Sequence, residues 1–162
     1  MSDIDHRVMV PPFLRVAEQR TAVSGAVVYQ WDFRIAQPNV SVLSLPVIHS
    51  LEHFLGSWLR QRNEFVVTVA PMGCQTGFYI TAIDIGCFDE MAELVVSVLV
   101  DVIKASAVPL ADPTACGQAD CHSLVGAQRV AEWLLARRAE WKLTTLEVES
   151  FGCPRSGARG VS

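Results

Sequence analysis

Apolar and polar positions change period several times along this 162-residue chain, and each change predicts an element. Residues 5–15 read as extended, because Pro11-Pro12 excludes a helix interior. Residues 21–25 read as a turn. Val27, Tyr29, Trp31, Phe33 and Ile35 then alternate with Val28, Gln30, Asp32 and Arg34, which predicts a strand with one apolar and one mostly polar face. Gln37-Pro38-Asn39 ends it. Ile48, Leu51, Leu55, Trp58 and Leu59 recur at helical spacing, with Pro46 suited to a first turn and Ser44 to the N-cap. After Arg62-Asn63, residues 65–70 read as a buried strand. Pro71-Met72-Gly73-Cys74 reads as a turn, and residues 77–83 as a strand antiparallel to the one before. Asp89 is the expected N-cap of a helix whose stripe is Met91, Leu94, Val95, Val98, Leu99 and Val102. Residues 109–113 read as loop. Ser123 is expected to cap a last helix through about Arg138, buried along Leu124, Ala127, Val130, Ala131 and Leu134. The Gly-, Ser-, Pro- and Arg-rich stretch from Gly152 reads as a disordered tail (152–162) behind a single domain (1–151). Together the elements predict an α+β fold, an antiparallel sheet with helices packed on one face.

Composition narrows the class. Hydrophobic residues make up 51% and charged residues 19%, the balance of a compact soluble globule with one sizeable core. The longest dense apolar run, 94–100, is stopped by Asp101 and is too short to span a bilayer. The acidic start has no basic-then-apolar order of a signal peptide. A net charge of -4 argues against non-specific nucleic-acid binding. Five cysteines, with no C-x-x-C spacing, read as reduced thiols in a cytoplasm. The high apolar fraction of a small chain points to surface buried between subunits.

The chemistry gathers on the first helix. His49-x-x-Glu52-His53 puts two imidazoles one turn apart on one face, away from the apolar stripe, with a carboxylate beside them. That is the inverted zinc-hydrolase spacing, in which two imidazoles hold a metal and the carboxylate moves protons. Gly56 would allow a close approach there. A third ligand must come from elsewhere: Cys74, Cys87, Cys116, Cys121, Cys153, His6 and His122 are the candidates, and spacing does not choose Cys116 over Cys121. A His-His-Cys set leaves the fourth position open, as catalytic sites do. Cys74, between Gly73 and Gln75-Thr76-Gly77, sits where a tight turn presents a side chain to a cleft, or is an inert buried thiol. Arg34 could bind a hydroxyl-rich or carboxylate substrate, or pair with Asp32.

These motifs, in this order, resemble one family. Asp5-His6, Trp31-Asp32-Phe33-Arg34 with Gln37-Pro38-Asn39, Ile48-His49-Ser50-Leu51-Glu52-His53, Pro71 through Tyr79, and Cys116-Gly117-Gln118-Ala119 with His122 are similar to the S-ribosylhomocysteine lyase (LuxS autoinducer synthase) family. The resemblance runs from about Asp5 to about Trp141. It implies a metal held by His49, His53 and Cys116, with Glu52 and Cys74 as the acid/base pair. It implies His6, Arg34 and Gly117 at the substrate, His6 and Arg34 reaching in from the partner of a homodimer. It implies one divalent metal per subunit, iron(II) natively, replaceable by zinc or cobalt. The implied reaction splits S-ribosylhomocysteine into homocysteine and 4,5-dihydroxy-2,3-pentanedione, a quorum-sensing precursor. Three positions depart: a family serine falls at Met1, and an acid and a serine fall at Thr68 and Ala70. Two alternatives share the residues. An inverted-motif metallohydrolase would carry the same helix, though Cys116 as third ligand argues against it. A metal-stabilised binding module would lack turnover, though intact Glu52 and Cys74 argue against that.

Overall fold

The computed structural model describes residues 5–142. Met1, Cys153 and the 152–162 tail lie outside them. The elements are β1 (Phe13–Thr21), β2 (Val27–Arg34), α1 (Leu45–Arg62), β3 (Val66–Pro71), β4 (Gly77–Ile83), α2 (Phe88–Lys104) and α3 (Leu124–Ala136). The strands form one antiparallel sheet in the order β1-β2-β4-β3, so the expected α+β arrangement is what the chain builds.

Register explains which face is covered. Trp31 lies opposite Ile80, and Phe33 opposite Phe78, so the alternate residues of β2 and β4 line up on one side. Val69 of β3 and Leu14 of β1 join the same side. These residues form one core with Ile48, Leu51, Phe54, Leu55 and Leu59 of α1, Met91, Val95, Val98, Leu99 and Val102 of α2, and Ala127, Ala131 and Leu134 of α3. Each large side chain removed from water here stabilises the fold by about 1.5–3 kcal/mol.

The structure corrects three local expectations and extends a fourth. Residues 5–15 were expected to be extended, and β1 begins within them at Phe13 but continues to Thr21, the first residue of the expected turn. Only Phe13 and Leu14 of β1 are fully buried, which leaves little alternation to read. Strand β3 is not buried: it forms a sheet edge, and Val67, Thr68 and Ala70 are exposed. A register shift between Val66 and Thr68 breaks its alternation. The α2 N-cap is Cys87, not Asp89; Asp89 and Glu90 lie in the first turn, where carboxylates favour the positive end of the helix. Ser44 does cap α1 by position, but its side chain makes no capping hydrogen bond.

Two glycines have backbone reasons. A Cβ on Gly77 would come 2.3 Å from the Phe33 carbonyl oxygen, so glycine lets β4 lie against β2 and says nothing about function. A Cβ on Gly56 would sit 3.9 Å from Glu52 Oε1, an ordinary contact, so no close approach requires glycine there.

Candidate metal centre and the thiol turn

The centre forms where α1, the loop before α3 and the start of α3 meet. His49 and His53 stand one turn apart on α1. The loop folds back on itself through Cys116 N–H to the Asp112 carbonyl (2.8 Å), with the Asp112 carboxylate accepting from Thr114 N–H. This turn buries the Cys116 side chain and aims it at α1. His122 follows immediately before Ser123, whose hydroxyl caps α3 by accepting from Gly126 N–H at 3.2 Å.

Ligand-type atoms of His49, His53, Cys116 and His122 all lie within 4.8 Å of one another. Cys116 Sγ is 3.5 Å from His49 Nε2 and 3.6 Å from His122 Nε2. A sulfur and a nitrogen on one tetrahedral ion are separated by about 3.5 Å, given ordinary metal–ligand lengths. His49 Nδ1 donates to the Cys121 carbonyl and His53 Nδ1 to the Pro109 carbonyl, each at 2.8 Å. A carbonyl only accepts, so both rings carry their proton on Nδ1 and present a bare Nε2 lone pair inward. Metal-binding histidines are oriented in this way. Lone pairs crowded around a thiol, with no positive side chain among them, suit a cation, and the group could hold a divalent metal.

Cys116 contributes its sulfur to the group, whereas Cys121 contributes its backbone carbonyl to His49. Glu52 stands at the rim, one-third exposed, with Oε2 at 4.0 Å from His53 Nε2. Burial, then the neighbouring His49 and His53, push the His122 imidazole below its ordinary range. Gly117 is exposed, with open space where a Cβ would stand. Cys74, Cys116 and Cys121 are free thiols.

A second cluster lies on the sheet face away from the helices. Arg34 donates from Nε and Nη2 to the Asp32 carboxylate (3.1 and 2.9 Å) and from Nη1 to Thr76 Oγ1 (2.9 Å). Arg15 Nη2 approaches the same carboxylate at 3.6 Å. The polar face of β2 is therefore not solvated: Asp32 is 1% exposed and Arg34 3%. Cys74 Sγ sits 3.0 Å from Thr76 Oγ1, in a turn where Gln75 takes a left-handed φ of 58°. Burial raises the Cys74 thiol pKa, but hydrogen bonds from Thr76 and the nearby Arg34 charge outweigh it, and the net shift is downward. His6 is exposed, with its carbonyl accepting from Gln37 Nε2.

Sequence reasoning named His122 as a candidate but left it out of the centre, and it missed Ser50, Thr76 and Arg15. The alternation of Asp32 with Arg34 was the one available signal for the second cluster.

Residues 2–145 match the family model described as S-Ribosylhomocysteinase (LuxS). A protein named S-ribosylhomocysteine lyase from Listeria monocytogenes serovar 1/2a is 40% identical over 140 residues, covering 86% of this chain and 90% of that one. Its namesake from Dichelobacter nodosus is 39% identical over 140 residues (86% and 91%), and that from Staphylococcus aureus strain RF122 is 40% identical over 139 (86% and 89%).

Proposed function

Because the chain belongs to the S-ribosylhomocysteine lyase (LuxS) family of carbon–sulfur lyases, we propose that it splits the thioether bond of S-ribosylhomocysteine, releasing homocysteine and 4,5-dihydroxy-2,3-pentanedione. His49, His53 and Cys116 hold one divalent metal per chain, iron(II) in the native protein, with zinc or cobalt able to replace it. The observation that carries this reading is the convergence of those three donors beside the Glu52 carboxylate. When bound, the metal supplies Lewis-acid stabilisation of negative charge on the sugar oxygens.

The chain's own residues do the proton work. The sulfur cannot leave until a carbonyl stands next to the carbon that loses a proton. The aldose carbonyl must therefore move along the pentose by successive proton transfers through enediolates, and β-elimination follows. Glu52, at the rim, exchanges protons with the sugar from the α1 side. Cys74, held toward its thiolate by Thr76 and Arg34, serves as the second carrier. Arg34 orients the substrate while tied to Asp32, and Gly117 leaves room for it.

The active sites are shared across a homodimer, with His6 and Arg34 serving the partner's centre. Among the described residues no helix is long and apolar enough to cross a membrane. A small-molecule substrate and a cytoplasmic setting fit the family, and neither a nucleic acid nor a membrane is part of this reading. Incubating metal-loaded protein with S-ribosylhomocysteine should release thiol, and a chelator should stop it. Metal-loaded protein that releases none would leave the binding module as the better reading. Mixing inactive His6→Ala with inactive Glu52→Ala subunits should restore about a quarter of full activity, since half the dimers regain one complete site. No recovery after confirmed subunit exchange counts against sharing.

A further inference from the structure

His122 and Ser50 have no part in the reaction as proposed above, yet both sit at the centre. Ser50 is fully buried, and its hydroxyl has three neighbours. It donates to the Pro46 carbonyl at 2.7 Å and accepts from Ser123 N–H at 2.8 Å. Its one hydrogen is thus committed, and so is one of its two lone pairs. The third neighbour, His122 Nδ1 at 3.3 Å, has to be a donor. Ser50 therefore sets the His122 tautomer, with the proton on Nδ1 and a lone pair on Nε2 turned to the centre. Ser50 also ties α1 to the start of α3, where a Cβ on Gly126 would lie 2.4 Å from Val47 Cγ2.

Ring geometry then shows that His49 and His122 do not both ligate one ion. A nitrogen lone pair lies in its ring plane, and two imidazoles on one tetrahedral ion have centroids about 5 Å apart with lone pairs that converge. His53 meets that condition with His49, at 4.8 Å and 79°, and equally with His122, at 4.7 Å and 77°. His49 and His122 do not: they stack at 4.1 Å and 24°, with nearly parallel lone pairs. One ion takes one of the stacked pair. His49 has the stronger orienting bond, 2.8 Å to a carbonyl against 3.3 Å to a hydroxyl for His122.

We propose that His122 is a substrate-positioning residue rather than a metal ligand: its Nε2, set by Ser50, accepts a hydrogen bond from a sugar hydroxyl lying over the open position of the His49–His53–Cys116 set. The inference rests on the metal-centre reading and adds a reason for preferring a polyhydroxylated substrate. An acceptor fixed by a buried hydroxyl selects a donor, and the hydroxyls on the second, third and fourth carbons of the open pentose can each bring one.

Cobalt(II)-loaded full-length protein tests this by its visible spectrum. His122→Asn, His122→Ala and Ser50→Ala should each keep one cobalt per chain and the substrate-free bands of the unaltered protein. The substrate concentration that half-shifts those bands should rise roughly tenfold to a hundredfold in the His122 variants and about tenfold in Ser50→Ala, with kcat/KM falling in parallel. Loss of cobalt, or changed substrate-free bands, in both His122 variants overturns the proposal by making His122 a ligand. A band-shift midpoint and kcat/KM within about twofold of the unaltered protein overturn it by leaving His122 no role. Cys116→Ser, measured alongside, tests the underlying reading separately. If it keeps the sulfur-to-cobalt charge-transfer band, Cys116 is not a ligand, whatever His122 does.

Discussion

The two polar clusters of this chain are built on opposite principles. At the helix side, His49, His53, His122 and Cys116 bring lone pairs and a thiol together with no cation among them. On the other face of the sheet, the Asp32 carboxylate lies between the Arg34 and Arg15 guanidiniums, so cations are already present. The first cluster is held by its surroundings: carbonyls of Pro109 and Cys121 and the hydroxyl of Ser50 orient the rings. The second is held by its own members. A cluster that is rigid but lacks positive charge is prepared for a cation, while one that already holds its cations serves to position a neighbour, here Thr76 and Cys74. The reaction proposed above uses both, a Lewis acid from the first and a proton carrier beside the second.

The largest effect should come from removing a donor at the uncompleted cluster. Cys116→Ala should fold and yet retain less than about a tenth of a metal equivalent after dialysis, because structural and catalytic affinity depends on the full ligand set. Turnover should fall with the metal content. Full occupancy measured by elemental analysis would remove Cys116 from the site and with it the contrast drawn here.

At the second cluster the cost should appear as stability rather than as metal loss. Arg34→Ala leaves Asp32 buried with only the longer contact to Arg15. Breaking a buried pair from one side costs about 3–5 kcal/mol, roughly 6–20 °C in Tm for a chain of this size. Arg7→Ala, which removes the exposed Arg7–Asp5 pair, should leave Tm nearly unchanged. Thermal unfolding at one protein concentration reads both, and equal shifts would deny the Asp32–Arg34 pair its buried character.

The smallest effect concerns the thiol. The Cys74 pKa lies below its ordinary value, so its thiolate persists to lower pH. Its alkylation rate should rise with pH through that pKa and level off above it. Thr76→Val removes the hydrogen bond to the sulfur and should move the rise to higher pH, slowing alkylation several-fold at a fixed pH on the rising limb. Peptide mapping isolates Cys74 from Cys116 and Cys121. An unmoved profile would assign the shift to Arg34 alone.

How far the sequence carried depended on whether local pattern or distant pairing decided each feature. Helices α1 and α3 were legible because their buried residues repeat every three or four positions. Strand β2 was legible because Trp31 and Phe33 alternate with Asp32 and Arg34. Strand β1 was not, since Arg15, Glu18, Gln19 and Arg20 hide a half-covered element. The β3 irregularity shifted its register, so apolar composition was mistaken for burial. At the centre, the His49–Glu52–His53 spacing is a local helical fact and could be read directly. Cys116 is brought in by a loop 67 residues from His49, a pairing that spacing does not encode and that the family resemblance supplied. Ser50 illustrates the remaining gap. Its neighbours His122 and Ser123 are more than 70 residues away, so its hydrogen bonds exist only in the folded chain.

The central claim is that carbonyl migration precedes cleavage, and following carbon-labelled S-ribosylhomocysteine by NMR tests it most directly. With metal-loaded protein, the label should report the carbonyl moving from the first carbon through the second to the third before homocysteine appears. Cys74→Ala, which keeps Glu52, should stall after the carbonyl has begun to move, with homocysteine release down by about 10²- to 10⁴-fold. Homocysteine release accompanied by free ribose, or undiminished release by Cys74→Ala, would contradict the account.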